Sequence, residues 1–113
     1  MIQVYGIKNC DSVKKALKFF KENDLEYTLF DFKTETLPCE KIEEWLQKVE
    51  IKTLFNARST TYRNLKLKEL NLDEEAQQDW LCKENLLIKR PVVIYNEEVL
   101  VGYNEETYQR SFL

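Results

Sequence analysis

The apolar positions of the first 32 residues change their spacing twice. Ile2–Tyr5 is a short apolar stretch that predicts a strand. Residues 11–22 then place apolar side chains on one helical face and lysines on the other flank. These two sets are Val13, Ala16, Leu17 and Phe20 against Lys14, Lys15, Lys18 and Lys21. Residues 26–32 return to alternation, so the pattern predicts a β-α-β unit with parallel strands and a right-handed crossover.

The middle of the chain carries helical patterns instead. Residues 39–49 and 73–85 predict amphipathic helices, and residues 52–56 predict a short helical turn. Asp73 is placed as the N-cap or as a first-turn acid, because a carboxylate suits the positive end of a helix. The charged stretch 66–75 is interpreted as solvated surface.

The last 23 residues predict a hairpin and a closing helix. Residues 91–95, PVVIY, are typical of a strand, and residues 99–101 predict a return strand after a turn at 96–98. A helix is expected over residues 104–112, with Asn104 as its cap.

The complete order is β-α-β, a helical block, and β-β-α. This is an α/β arrangement of the thioredoxin-like type, with a helical insertion between the β-α-β unit and the C-terminal β-hairpin. We expect one domain over residues 1–113, with the insertion at about 35–88, since 113 residues suit one domain. The 43% of hydrophobic residues is enough for a buried core and argues against disorder.

Charge and apolar content limit the partners. The formal net charge of −3 gives no electrostatic reason to expect nucleic acid or an anionic membrane surface. No apolar run approaches the roughly 18 residues of a membrane span, and the first residues do not resemble a signal peptide. We therefore expect a cytoplasmic monomer that binds neither nucleic acid nor membrane.

The chain has three cysteines and no histidine. The lack of histidine excludes Cys-His and Ser-His catalysis and every histidine-based metal site, and no metal is expected. An odd number of widely spaced cysteines in the cytoplasm argues against a structural disulfide framework. Cys39 and Cys82 fall on predicted helices and are interpreted as packing residues.

Cys10 differs because it stands between the first strand and the first helix, in YGIKNCDSVKK. The start of a helix carries partial positive charge and unpaired N–H groups, which stabilise a thiolate and make it a better nucleophile at neutral pH. Lys8 would add positive charge. Asp11 opposes this effect unless its side chain turns away to cap the helix. The alternative role for Cys10 is a small apolar side chain that fills the turn.

Two arginines and a proline complete the set of candidates. Arg58 in NARST and Arg90 in KRPVV each carry a guanidinium group that can bind an oxyanion or a carboxylate in bidentate fashion. Arg63 and Arg110 are interpreted as surface residues. In a thioredoxin-like order, Pro91 stands where a cis-proline would face the reactive cysteine.

Three motifs in order, YGIKNC, NARST-TYRNL and IKRPVVI, followed by Gly102, resemble the arsenate reductase-like (ArsC) family. The resemblance covers essentially the whole chain. Within the family, the sequence is most similar to the small ArsC-like proteins whose proposed activity is glutathione-dependent thiol reduction. This resemblance implies a thioredoxin-like fold, an attacking cysteine at Cys10, and resolution by glutathione and glutaredoxin. It also implies that Arg58 and Arg90 bind the oxyanion and that Pro91 is cis.

The sequence departs from the arsenate reductases at two places. A third arginine of those enzymes corresponds here to about Gly102, and no nearby residue replaces it. Their Gly-Thr-Ser run after the cysteine is DSVKK here, and the acid Asp11 disfavours a dianion such as arsenate. The Spx-type transcription adaptors of the same superfamily carry a CxxC switch, which Val13 breaks in this chain.

These considerations predict an ArsC-like thiol oxidoreductase, dependent on glutathione, that reduces a disulfide or a small oxidised substrate. Cys10 is the single nucleophile, and the substrate-binding residues are Arg58, Arg90, Asn9 and Lys8. We expect no bound cofactor, glutathione as co-substrate, and glutaredoxin or a small-molecule or protein disulfide as partner. The alternatives are arsenate reduction proper, coupled to glutathione and glutaredoxin, and a non-enzymatic Spx-like transcriptional regulator.

Overall fold

The computed structural model describes residues 1–113, and their contacts divide the chain into two compact units. Unit 1 comprises Met1–Asp31 and Arg90–Leu113, and unit 2 comprises Phe32–Lys89. Unit 2 holds the helices of the predicted insertion, with bounds a few residues wider than expected. That the two units form a single domain stays a prediction.

None of the helices combines the length and apolar character that crossing a bilayer requires.

Four strands and six α-helices make up the regular structure. In chain order they are β1 Ile2–Gly6, α1 Asp11–Glu22, β2 Tyr27–Asp31, α2 Cys39–Leu46, α3 Ile51–Leu54, α4 Thr60–Asn64, α5 Glu74–Lys83, β3 Val92–Tyr95, β4 Glu98–Val101 and α6 Glu105–Phe112. Short 3₁₀ helices span Leu67–Leu70 and Asn85–Leu87. The structure adds α4, which the sequence analysis did not predict.

The four strands form one sheet in unit 1, in the order β2-β1-β3-β4. β1 and β2 are parallel, as the β-α-β unit predicted. β3 runs antiparallel to both β1 and β4. Asn96 and Glu97 between β3 and β4 both have positive φ, which is typical of a tight two-residue hairpin turn. The thioredoxin-like strand order is therefore confirmed.

Aromatic side chains from α1 and α6 form much of the core of unit 1. Phe20 of α1 stacks on Tyr108 of α6 with ring centroids 5.7 Å apart, and Phe19 meets the same tyrosine edge to face. Val4 of β1 and Val93 of β3 belong to the same buried cluster. The helical spacing of the apolar residues in α1 therefore serves packing against the sheet, and its lysines are left in solvent.

Gly6 allows α1 to approach the end of β1. A Cβ atom at this position would lie 2.7 Å from Cγ2 of Val13, which is fully buried in the first turn of α1. Val13 occupies the position that a second cysteine takes in a CxxC motif. Its close contact with Gly6 gives this valine a packing role just after Cys10.

We expect Gly6→Ala to lower the free energy of unfolding by about 1–3 kcal/mol, because the new methyl group overlaps a side chain that cannot leave the core. Urea denaturation measures the loss. Val13→Ala in the same chain should relieve the overlap, so the double variant should be less destabilised than the sum of the two single variants. Additive losses would contradict the proposed contact.

Tyr108 is a buried phenol in α6. Its hydroxyl donates a hydrogen bond of 2.9 Å to the carbonyl oxygen of Gly102. Burial, followed by the nearby Tyr103, raises the pKa of Tyr108 above its usual range. Since the raised pKa belongs to the folded state, the stability that the neutral phenol contributes is complete below about pH 10, the ordinary tyrosine value, and is lost as the pH rises further.

We expect Tyr108→Phe to lower the free energy of unfolding by about 1 kcal/mol at neutral pH, because the hydrogen bond to Gly102 is lost. The variant should also lose less stability than the parent between pH 9 and 11, roughly the range around the ordinary tyrosine pKa. Thermal unfolding against pH measures both effects. Tyr95→Phe is the matched control, since no hydrogen bond is formed by its partly exposed phenol. An identical alkaline loss in parent and Tyr108→Phe would contradict the account.

Side-chain caps fix the starts of three helices. Asp73 accepts a hydrogen bond from the N–H of Ala76 at 2.8 Å and so caps α5, as predicted. Asn104 caps α6 in the same way, through the N–H of Thr107. Ser59 caps α4 by accepting from the N–H of Tyr62. This last cap explains why a helix begins in the NARST segment.

The core of unit 2 is formed by buried apolar residues from several of its helices and from the connections between them. They include Ile42, Trp45, Leu54, Phe55, Leu67, Leu81, Leu87 and Ile88. The interpretation of residues 66–75 as solvated surface is wrong at Leu67, which is almost fully buried. This happens because the 3₁₀ helix at Leu67–Leu70 turns that side chain inward, whereas Leu70 remains exposed.

Cys39 and Cys82 form a disulfide, with Cα atoms 5.1 Å apart. The interpretation of both cysteines as packing residues, outside any disulfide framework, is therefore wrong. The two residues are 43 positions apart in sequence. Packing of α2 against α5 brings them together, and neither helical pattern alone indicates that contact.

Candidate functional site

Cys10 is the one free cysteine of the chain. It occupies the N-cap position of α1 with an extended backbone (φ −147°, ψ 125°), and its carbonyl oxygen accepts a hydrogen bond of 2.9 Å from the N–H of Lys14. No side-chain hydrogen bond caps this helix, so the thiol is not used for that purpose. The residue is half-buried and lies at the positive end of the helix.

The connection from β1 to α1 becomes more exposed as it approaches Cys10. Ile7 is buried and anchors the connection, whereas Lys8 and Asn9 are exposed. Asp11, the first residue of α1, is also exposed and makes no capping hydrogen bond. Solvent therefore reaches the charged and polar side chains on both sides of the thiol.

Strand pairing places a second segment at the same edge of the sheet. Tyr5 of β1 is opposite Val92 of β3 in an antiparallel register. The carboxyl end of β1 and the amino end of β3 therefore lie side by side, so Arg90 and Pro91 share an edge with the connection that carries Cys10. The Arg90–Pro91 peptide bond is cis, the geometry that the family resemblance implied.

Pro91 is hydrogen-bonded to the residue that follows β4. It is buried, and its carbonyl oxygen accepts a hydrogen bond of 2.8 Å from the N–H of Gly102. Gly102 has φ 82°, in the left-handed region that favours glycine. The position of the missing third arginine is thus occupied by a buried residue with a backbone role.

The positive groups at this edge are free of internal ion pairs. Arg90 is half-buried and Lys8 is exposed, and neither forms a salt bridge. The salt bridges Lys41–Glu44 and Lys52–Glu50 lie in unit 2 and involve neither residue. The side chains of Arg90 and Lys8 can therefore take up an anion without first losing a carboxylate partner.

Arg58 belongs to unit 2. It is exposed, its backbone N–H donates a hydrogen bond of 3.0 Å to Oδ1 of Asn56, and it directly precedes the N-cap residue Ser59. Its guanidinium group forms no ion pair. Its expected role in binding the substrate of Cys10 stays a prediction.

Sequence reasoning missed Gly6, whose lack of a side chain allows the first turn of α1 to pack beneath the site. A glycine at the end of a strand, seven residues before the apolar Val13, was the available signal.

No group of three or more cysteine, aspartate or glutamate side chains is arranged to hold a metal ion.

Comparisons with known proteins agree with this arrangement. The model of the ArsC family matches residues 5–111. A protein of Haemophilus influenzae, named only as uncharacterized, is 40% identical over 113 residues, which is 99% of both chains. The global transcriptional regulator Spx of Staphylococcus aureus is 30% identical over 115 residues, covering 97% of this chain and 86% of its own length.

A solved structure agrees over the entire chain. The YffB protein superposes with a TM-score of 0.91 at 29% identity, and all of both chains is covered. The sheet order, the position of Cys10 after β1 and the match over residues 5–111 are thus consistent with each other. The chain belongs to the ArsC family.

Proposed function

We propose that this protein is a thiol oxidoreductase that uses Cys10 as a single nucleophile and glutathione as co-substrate. The observation that carries the proposal is the free, half-buried Cys10 at the uncapped start of α1. The same sheet edge presents Arg90 and the cis-Pro91. The substrate is a disulfide or a small oxidised compound, and glutaredoxin is the partner proposed for the coupled reaction. We assign this activity to a cytoplasmic monomer.

The proposed reaction has two exchange steps. The Cys10 thiolate attacks one sulfur of a mixed disulfide between glutathione and a second thiol. A bond forms between Cys10 and the glutathione sulfur, the original S–S bond breaks, and the second thiol leaves as a thiolate. A second glutathione thiolate then attacks the glutathione sulfur on Cys10. Glutathione disulfide leaves and the Cys10 thiolate is regenerated. In total, two electrons from glutathione have reduced the mixed disulfide to the free second thiol.

Cys10 stands at the start of α1, in a chain that has no histidine. The first-turn N–H groups of this helix carry partial positive charge and are not capped by the Cys10 side chain, and the exposed carboxylate of Asp11 lies in the same turn. Lys8 lies two residues before the thiol and is free of ion pairs. The thiolate is the attacking species in thiol–disulfide exchange.

Arg90 is proposed to bind a carboxylate of the glutathione moiety, together with Lys8 and Asn9 of the same unit. We expect Arg90→Gln to raise KM for a glutathione mixed disulfide about tenfold or more with a smaller change in kcat, because a charge-assisted hydrogen bond is worth about 1.5–3 kcal/mol. Arg110→Gln is the matched control, since Arg110 is exposed on α6 of the same unit. Equal KM values for the two variants would remove Arg90 from the site.

Steady-state turnover tests the proposal against arsenate reduction. We expect glutathione-dependent reduction of a mixed disulfide, and weak or no turnover of arsenate with glutathione and glutaredoxin. Gly102 provides no third cation, and the exposed Asp11 repels a dianion beside Cys10. Arsenate turnover faster than disulfide turnover would replace the proposal with arsenate reductase proper.

A second candidate function is suggested by the relative named Spx, which is 30% identical to this chain. Under this alternative the protein is a transcriptional regulator and Cys10 is dispensable. Co-purification with RNA polymerase that is unchanged in Cys10→Ser, together with no disulfide turnover, would favour regulation over catalysis.

A further inference from the structure

Unit 2 contains sulfur chemistry that does not involve Cys10. Cys39 and Cys82 are joined in a disulfide, whereas Cys10 is a free thiol. Cys39 is the first residue of α2, and Cys82 lies in the last turn of α5. Both residues are partly exposed, so a thiol in solution can reach the disulfide.

Buried contacts hold the two helices together independently of the disulfide. The N–H of Leu37, just before α2, donates a hydrogen bond of 2.8 Å to Oδ1 of Asn85. Nδ2 of Asn85 donates in turn to the carbonyl oxygen of Leu81, in α5, at 3.0 Å. Ile42 of α2 and Leu81 are both fully buried. These contacts keep the two sulfurs close after reduction, so the bond can close again without refolding.

The two sulfurs differ in their ability to carry negative charge. Cys39 lies at the amino end of α2, where first-turn N–H groups stabilise an anion, and Pro38 provides no side-chain cap that would compete. Cys82 lies at the carboxyl end of α5, where backbone carbonyl groups oppose an anion. When the bond opens, Cys39 is therefore the better leaving group.

The charged side chains nearby do not reverse this difference. Glu40 follows Cys39, and Glu43 lies one turn further along α2. Asp79 lies one turn before Cys82, and Lys83 follows it with Nζ 5.4 Å from the Trp80 ring. All four charged residues are exposed, so water screens them, whereas the helix ends act directly on the sulfurs.

We propose that Cys39–Cys82 is a reversible thiol–disulfide site for low-molecular-weight thiols of the glutathione class. An external thiolate attacks the Cys82 sulfur, a mixed disulfide forms on Cys82, and Cys39 leaves as a thiolate. A second external thiolate then attacks the external sulfur of that mixed disulfide. The Cys82 thiolate and a small-molecule disulfide are released, and two electrons have passed to the protein. Reoxidation follows the same steps in reverse, with Cys39 closing the bond.

Acid-quenched trapping tests the proposal in Cys10→Ser, which keeps the disulfide and removes the third thiol. The oxidised protein is mixed with glutathione for increasing times, quenched in acid, alkylated and mapped by peptide mass spectrometry. We expect intermediates that carry glutathione on Cys82 and the alkyl group on Cys39, in roughly three- to tenfold excess over the opposite pattern. Glutathione disulfide added to the reduced protein should restore the Cys39–Cys82 bond.

Three outcomes would overturn the proposal. They are glutathione mainly on Cys39, a bond that opens only when the protein unfolds, and free Cys39 and Cys82 thiols in the oxidised protein. Circular dichroism on the same samples shows whether opening and unfolding coincide. If Cys10→Ser does not fold, wild-type protein gives the same answer, because peptide mapping separates Cys10 from the other two cysteines.

Discussion

Cys10→Ser should lower the glutathione-dependent turnover of a mixed disulfide by more than about a thousandfold, because a serine hydroxyl is not ionised at neutral pH and does not attack sulfur. Steady-state kinetics with glutathione at fixed concentration measures the loss. The sulfur-to-oxygen change is small in volume, and Cys10 caps no helix through its side chain, so we expect the fold to be retained.

The matched control is Cys39→Ser/Cys82→Ser, which keeps Cys10 as its only thiol. We expect this variant to retain turnover within a few-fold of wild type at a temperature where circular dichroism shows that it is folded. Full activity in Cys10→Ser would contradict the single-nucleophile mechanism. So would loss of activity in a folded control, since the reaction would then require the second pair of cysteines.

Reduction of the Cys39–Cys82 bond should lower the free energy of unfolding by up to about 4 kcal/mol. The bond closes a loop of 43 residues, and opening it increases the conformational freedom of the unfolded chain by about that amount. Guanidinium denaturation of the oxidised and reduced protein measures the difference.

Cys39→Ser/Cys82→Ser serves as the control for this second prediction. Its stability should match that of the reduced wild type and should not respond to reductant. A Cys10→Ser variant should respond to reductant as strongly as the parent does. Equal stability of the oxidised and reduced parent would contradict the Cys39–Cys82 crosslink. If reductant no longer lowered the stability of Cys10→Ser, the effect would depend on Cys10 and not on the Cys39–Cys82 bond.

Local patterns account for most of what could be predicted of the fold. The helix over residues 11–22 was placed correctly because its apolar spacing spans three turns. Asp73 and Asn104 were placed correctly as caps, because capping depends on residues only three positions apart. Short apolar or alternating segments between the helical patterns predicted the order β-α-β and β-β-α, and the sheet has the pairing that this order predicts.

Long-range packing accounts for the errors. The Cys39–Cys82 bond joins residues 43 positions apart, so nothing in the neighbourhood of either cysteine indicates it. Leu67 lies in a charged stretch, and only the surrounding helices of unit 2 make it a core residue. Helix α4 has five residues, too few for a periodic pattern, and depends on the Ser59 cap.

The candidate site was predicted from the position of Cys10 before the first helix and from the resemblance to the ArsC family. The placement of Cys10 before the first helix followed from the apolar pattern, and strand pairing brings Arg90 and Pro91 to its edge of the sheet. The contact of Gly6 with Val13 depends on atomic packing, which composition does not reveal. The exposure of Lys8, Asn9 and Asp11 likewise follows from how the connection leaves the strand.

Trapping of the reaction intermediate tests the central claim most directly. Wild-type protein with its Cys39–Cys82 bond intact is mixed briefly with a glutathione mixed disulfide, quenched in acid and mapped by peptide mass spectrometry. The mechanism predicts a single glutathione on Cys10, formed at least as fast as steady-state turnover and removed by added glutathione. Turnover that proceeds while Cys10 stays unmodified would contradict the assignment of Cys10 as the nucleophile.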